Sequence, residues 1–161
     1  MAENTKKNTV LNVVVGILCA AACIYFTADA LKDMKEEKRK NDMTIAELVE
    51  KLQADLPVKA TGSACTIIQT GLEISNDTLI FLSTIEMPDS YRQQFVKTDF
   101  QKQFYADGLN SVVKEYGTHL LTRKACDAGM VLTYRYFDAE GTQISRTDFA
   151  PEVYRPLLQA R

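Results

Sequence analysis

The chain has 161 residues, 46% hydrophobic and 25% charged, with 19 Lys and Arg against 21 Asp and Glu for a formal charge of −2. Its basic residues cluster only between Lys32 and Lys40, so it lacks the cationic footprint that a polyphosphate requires, and nucleic acid is not an expected partner. One histidine, His119, and four cysteines without a C-x-x-C or H-E-x-x-H pattern leave too few ligands for a transition-metal centre, and no cofactor is implied.

Residues 1–9 form a short leader. From Val10 to Ala28 the only strongly polar residue is Asn12, and at ~1.5 Å per residue a helix of that length nearly covers a ~30 Å hydrocarbon core. Ala28-Asp29-Ala30 offers a cleavage pattern of small residues. Cys23 is a weaker lipid-attachment candidate, because Ala20-Ala21-Ala22 precedes it without the usual Leu and Ile24-Tyr25-Phe26 after it stays apolar. The length favours a permanent transmembrane anchor in the lipid bilayer. Gly16, Ala20, Cys23 and Thr27 place small side chains on one face of that helix, a surface for a helix dimer and hence a homodimer, although small residues are also ordinary in membrane helices.

Lys6 and Lys7 precede the span, whereas Lys32, Lys35, Lys38, Arg39 and Lys40 come after it. Counted literally, the positive-inside rule keeps the C-terminal domain in the cytoplasm. The downstream cations alternate with Asp29, Asp33, Glu36 and Glu37, however, and the leader resembles that of an uncleaved export signal. The expectation is a single-pass inner-membrane protein with its C-terminal domain in the periplasm. Residues 29–43 read as a charged, helical linker, with Glu36 three and four positions before Arg39 and Lys40.

Residues 44–161 are of single-domain size. Thr44-Ile-Ala-Glu47 is a capping box with Met43 placed to staple against Leu48, and Ile45, Leu48, Val49 and Leu52 mark one helical face that Pro57 ends. The next stretch changes period: Ile68, Leu72 and Ile74 read as one side of a strand, and Cys65 and Ile67 as the other. Ser75-Asn76-Asp77 is a turn, and LIFLSTI, residues 79–85, is apolar enough for a strand covered on both sides in its first half. Thr98 with Gln101 reads as a second capping box. Phe100, Phe104, Leu109, Val112, Val113 and Tyr116 then recur at helical spacing until Gly117. Thr118 to Asp127 reads as a shorter helix closed by Gly129. MVLTYRYF, residues 130–137, alternates as a strand, Asp138 to Gly141 is a hairpin loop, and TQISRTDF, residues 142–149, returns. The fold class is therefore α+β: an N-terminal transmembrane helix, then two layers, a mainly antiparallel four-stranded sheet with helices on one face.

GMVLTYRYFDAEGTQI, residues 129–144, resembles the C-terminal hairpin of small envelope proteins of Gram-negative bacteria, in which a glycine precedes two alternate tyrosines, a D-x-x-G turn and an Ile-containing return strand. Leu56-Pro57 before the first strand also fits. That group often carries a cysteine some ten residues before the glycine and another near the C-terminus. Here Cys126 stands three before Gly129 and nothing after Phe149 is a cysteine, so the group's bridge is absent or rewired. The resemblance implies an exported α+β domain and brings no activity.

Cys65 and Cys126 are the domain's candidate disulfide in an exported protein, and simply buried thiols in a cytosolic one. His119 and Cys126, seven residues apart on one helix, lie ~10 Å apart and make no dyad there. Without a G-x-S-x-G, a Gly-rich phosphate loop or a close carboxylate pair, no catalytic residue is expected. Met130, Leu132, Tyr134 and Tyr136 are the more apolar set of their strand and read as core, leaving Arg135 toward solvent. The tail holds Val153 and Tyr154 between Pro151 and Pro156 and is too short for another packed element; it docks on the domain or offers a partner contact, as Arg135 does. The functional expectation is an envelope protein whose C-terminal domain binds another envelope protein, as an accessory component of an assembly, secretion or conjugation system. The alternatives are an envelope small-ligand-binding protein or enzyme, and a membrane-tethered cytosolic adaptor.

Overall fold

The structure is a computed structural model that describes residues 41–61, 65–93 and 97–160. The expected membrane span, its Gly16, Ala20, Cys23 and Thr27 face and most of the charged linker lie outside the described residues. No helix among the described residues is long and apolar enough to cross a membrane.

Helix α1, Ile45–Gln53, begins as its sequence dictates. Thr44 Oγ1 accepts from the Glu47 N–H at 3.2 Å, and Glu47 returns a carboxylate oxygen to the Thr44 N–H at 2.7 Å. Leu48 and Val49 go into the core. The chain then makes strands β1, Val58–Thr61, β2, Thr66–Ser75, and β3, Thr78–Glu86, each antiparallel to the last. A helical turn at Asp89–Arg92 leads to α2, Thr98–Thr118, and α3, Leu120–Ala128. Strand β4, Val131–Phe137, lies parallel to β3, and β5, Gln143–Phe149, returns antiparallel before helix α4, Pro151–Gln159.

The sheet is thus mixed, five strands in the order β1-β2-β3-β4-β5, not four. The additional strand, VKAT, has four residues of which only Ala60 is buried, too short and too polar to announce itself by alternation. The two hairpins join through a parallel pair, and a parallel neighbour is reached only by a crossover, here α2 and α3.

Strand β2 departs from its sequence reading at one point. Its pairing with β3 shifts between Gln69 and Gly71, and that one extra residue reverses the alternation beyond it. Leu72 therefore joins Ile67 in the core, whereas Ile68 stays half-buried on the other face. Beside the irregularity the Leu72 N–H is donated to Gln53 Oε1 of α1 at 2.7 Å, so a backbone donor near the disturbed ladder is satisfied by a helix side chain.

Strand β4 is as expected, with Leu132, Tyr134 and Tyr136 buried on the helix side. Tyr134 stacks on Phe81 at 4.6 Å and meets the edge of Phe149, while Phe104 of α2 meets Tyr136 at 5.3 Å, arrangements that favour aromatic rings beyond their buried area. Helix α2 starts at Thr98, which is its first residue and not its cap; Lys97 is the cap and makes no side-chain capping bond. Gly129 ends α3 in the left-handed region at φ 73, as its position implied, its N–H donated to Cys126 O at 3.0 Å.

The C-terminal tail is a packed element, contrary to the expectation from its short length. Pro151 occupies the first turn of α4, where a missing N–H costs nothing. Tyr154 is wholly buried, and its hydroxyl donates to Met130 O at 2.8 Å. It seals the corner where α3 passes into β4, and burial pushes its pKa up to about 12. Replacing Tyr154 by Phe leaves the Met130 carbonyl without this donor and should cost about 1–2 kcal/mol, read as a lower urea midpoint with an unchanged slope.

Gly108 in the middle of α2 provides a second test. Alanine is worth about 1 kcal/mol over glycine in a helix, but a Cβ here would sit 2.8 Å from Cζ of the buried Phe149 ring. Gly108→Ala should therefore destabilise by about 1–3 kcal/mol, packing conflict outweighing propensity. A higher melting temperature for that variant would show that the ring can yield.

Candidate functional site

The helix-facing side chains of β5 are Ser145, Thr147 and Phe149, in register with Tyr136, Tyr134 and Leu132. Two consecutive positions on this edge strand hold small hydroxyl residues, where the neighbouring strand holds two tyrosines. Above them α2 projects Phe100, Phe104 and Tyr105. The mismatch in size leaves an open groove of about 410 Å³ between α2 and β5, with Gln101, Gln143, Ile144 and Arg146 along its margins. Phe149 closes one end against Tyr105, ring centres 5.0 Å apart, in the space that Gly108 leaves. β5 is the last strand of the sheet, so alternate backbone N–H and C=O groups face away from β4 along the groove.

The hairpin that leads into β5 is held by charge. Arg92 Nη2, on the turn after β3, reaches Asp138 Oδ2 at 2.8 Å and Glu140 Oε2 at 2.7 Å. Asp138 Oδ1 in turn accepts from the Thr142 N–H at 2.7 Å, and Gly141 at φ 81 lets the hairpin close. Along the strand, Arg146 Nε lies 3.0 Å from both oxygens of Asp148, and Thr133 Oγ1 donates to Asp148 Oδ1 at 2.6 Å. Burial alone would raise the Asp148 pKa, but Thr133 and Arg146 hold it below the ordinary carboxylate value.

Sequence reasoning missed this groove. Its signal is faint: the helix-facing positions of TQISRTDF include two small hydroxyl residues, which in a sequence read only as weak alternation. The residues it did single out do not converge. Arg135 lies on the sheet face away from the helices, its Nε donating to Gln143 Oε1 at 2.9 Å and its guanidinium 5.3 Å from the centre of the Phe137 ring. Val153 is half-buried on α4. Tyr154 is inside the core and offers no surface to a partner.

Cys65 and Cys126 are free, buried thiols. Cys65 directly precedes β2, whose Thr66 pairs with Glu86 at one end of β3, whereas Cys126 lies on α3, which leads into β4 at the Thr78 end of β3. A bridge needs Cα atoms within about 7 Å. Burial raises the pKa of Cys65 and pushes that of Cys126 up to about 12, which makes both poor nucleophiles. Among the described residues no three His, Cys, Asp or Glu side chains gather as a metal's ligand set.

His119 occupies the corner between α2 and α3 with the buried Glu115 and Thr122, whose hydroxyl donates to Glu115 Oε2 at 3.3 Å. Burial, reinforced by Lys114, lowers the imidazole from 6.5 to about 4. The unfolded chain therefore takes up a proton that the folded chain refuses, and stability present above pH 6.5 is lost as pH falls toward 4. Denaturant unfolding should show uptake of about one extra proton in that window, and His119→Gln should flatten the slope. An identical pH dependence in the variant would assign the effect to carboxylates.

No family model matches the chain. No curated protein matches it either. Among solved structures, a Pseudomonas aeruginosa protein described as secreted is similar over 77% of this chain and 99% of its own, at 15% identity and a TM-score of 0.54. The type II secretion pilotins EpsS of Vibrio vulnificus and AspS of Vibrio cholerae align over 74% of this chain and 96% and 97% of theirs, at 14% and 13% identity and TM-scores of 0.45 and 0.42. The first of these likenesses shows the fold: an α+β domain with a mixed five-stranded sheet and four helices.

Proposed function

We propose that this chain is a membrane-anchored envelope protein whose domain from residue 44 onward binds another protein, as an accessory component of an assembly, secretion or conjugation system. Residues 10–28 serve as the anchor and residues 29–43 as the spacer that carries the domain clear of the bilayer. The observation that carries the reading is the groove between α2 and the free edge of β5, aromatic on one wall and backbone on the other. Among the described residues its lining includes Arg146 but no carboxylate, histidine or cysteine, and of its aromatic rings only Tyr105 is exposed, so it offers shape, hydrogen bonds and one apolar ring, which suits binding a polypeptide segment.

A photo-crosslinking residue at Gln101 or Gln143 should capture one partner in cells, while the same residue at Lys59, at the far edge of the sheet, should capture none. Adducts equally strong at Lys59, or absent at both groove positions, would refute the groove as the binding surface.

The cytosolic adaptor is kept as a second reading because Cys65 and Cys126 are unbridged and five cations stand just after the apolar segment. Both native thiols are buried and make poor topology probes. Lys102→Cys, exposed on α2, in a chain carrying Cys19→Ala and Cys23→Ala, is the suitable site. With an impermeant thiol reagent, labelling in intact spheroplasts is the result expected of a periplasmic domain; labelling only after permeabilisation would establish the adaptor.

A further inference from the structure

The geometry points to strand addition as the way the groove takes its partner: an extended segment pairs with β5, sets apolar side chains at alternate positions beneath α2, and places an acidic side chain between them opposite Arg146. This rests on the groove being the binding surface.

Three observations select that occupant. First, β5 is a seven-residue strand at the edge of the sheet, with only β4 beside it among the described residues, long enough to pair with a peptide of similar length. The opposite edge, β1, has four residues and offers about half the ladder. Second, Ser145 and Thr147 are the small side chains of the groove floor beneath Phe100, Phe104 and Tyr105, with Ser145 the more open of the two. A strand added in the plane of the sheet would turn every second side chain toward that aromatic wall, two residues apart as Ser145 and Thr147 are. A helix laid in the same place would cover the edge without pairing its backbone groups.

Third, the charges on the other face are unequal. Asp148 already accepts from both Thr133 and Arg146. Arg146 has Asp148 as its ion-pair partner, two positions along the same strand, with side chains 56% and 44% exposed. An exposed pair of this kind contributes little, so the guanidinium can turn to a carboxylate on an added strand while Thr133 still satisfies Asp148. Cross-strand opposite charges favour such a pairing, and like charges oppose it. The preferred segment is therefore apolar–acidic–apolar, with polar residues outside.

The test uses the full chain in detergent micelles and three fluorescently labelled, end-capped peptides: KTVEVTK, its charge-reversed form KTVKVTK, and KTPEPTK, which cannot complete a ladder. Binding is read by anisotropy and the site by hydrogen–deuterium exchange over residues 143–149. KTVEVTK should bind, slow exchange in that segment and exceed KTVKVTK by about tenfold. Arg146→Glu should invert the preference between those two peptides, and Ser145→Phe, which fills the slot, should abolish binding of both while circular dichroism reports an intact fold. Binding without protection of residues 143–149, or equal binding of KTPEPTK, would overturn strand addition and leave the groove reading in place. Absence of binding by KTVEVTK at millimolar concentration would also overturn it. Concentration-dependent protection of the segment without peptide would name a second copy as the occupant and overturn the proposal. Failure of the groove reading is registered separately, by the crosslinks from Gln101 and Gln143.

Discussion

The parallel pairing of β3 with β4 is the constraint on which the rest of the domain depends. Two antiparallel units can each close through a short turn, but joining them side by side in the same direction obliges the chain to leave at Glu86 and re-enter the sheet beside Thr78, at the other end of β3. The crossover supplies α2 and α3, and these cover one face of the sheet. Gly129 turns the chain sharply from α3 into β4, and Tyr154, arriving from the C-terminal helix, fills the corner beneath it. The last helix therefore reinforces the point at which the connection is completed, and β5, next in the chain after β4, is left as an edge.

That arrangement accounts for the groove with few further assumptions. α2 must lie across the strands it connects, and its aromatic residues are set by helical spacing. Phe104 is held on Tyr136 and Tyr105 against Phe149, so the wall is anchored in the core at both of those residues. The space beneath it is a consequence of two small side chains on one strand, Ser145 and Thr147. Larger residues there would extend the core to the sheet's edge and leave no groove.

Much of the local structure was legible because single residues decide it. Thr44 and Glu47 cap α1 by reciprocal hydrogen bonds that need nothing from the rest of the fold. Gly129 is placed where only a left-handed residue ends a helix, and the alternation of MVLTYRYF fixes which face of β4 is buried. What was not legible depends on partners far away in sequence. β1 is a strand because β2 is beside it. Leu72 is core because β2 slips by one residue against β3, a property of the pairing and not of either strand. The tail read as too short for a packed element, yet Tyr154 anchors a helix there, since one buried aromatic side chain suffices to hold nine residues in place. The two cysteines were plausible partners in the sequence, but one precedes β2 and the other lies on α3, and both are free. The candidate site was the least legible of all: its walls come from α2 and β5, well separated in the chain, and its defining property is a deficit of side-chain volume.

The contact of Arg92 with Asp138 and Glu140 has a mechanical consequence for the hairpin between β4 and β5. Arg92 belongs to the helical turn after β3, and its two acceptors belong to the hairpin that leads into β5, so one guanidinium ties two segments 46 and 48 residues apart in the chain. Its two attachments differ in kind. The Asp138 side chain is 8% exposed and that of Glu140 69%, so dissolved salt competes with the second far more than with the first. The Arg92–Asp138 contact therefore outlasts the Arg92–Glu140 contact as salt rises, so the hairpin keeps its tie to the turn after β3 through the buried carboxylate.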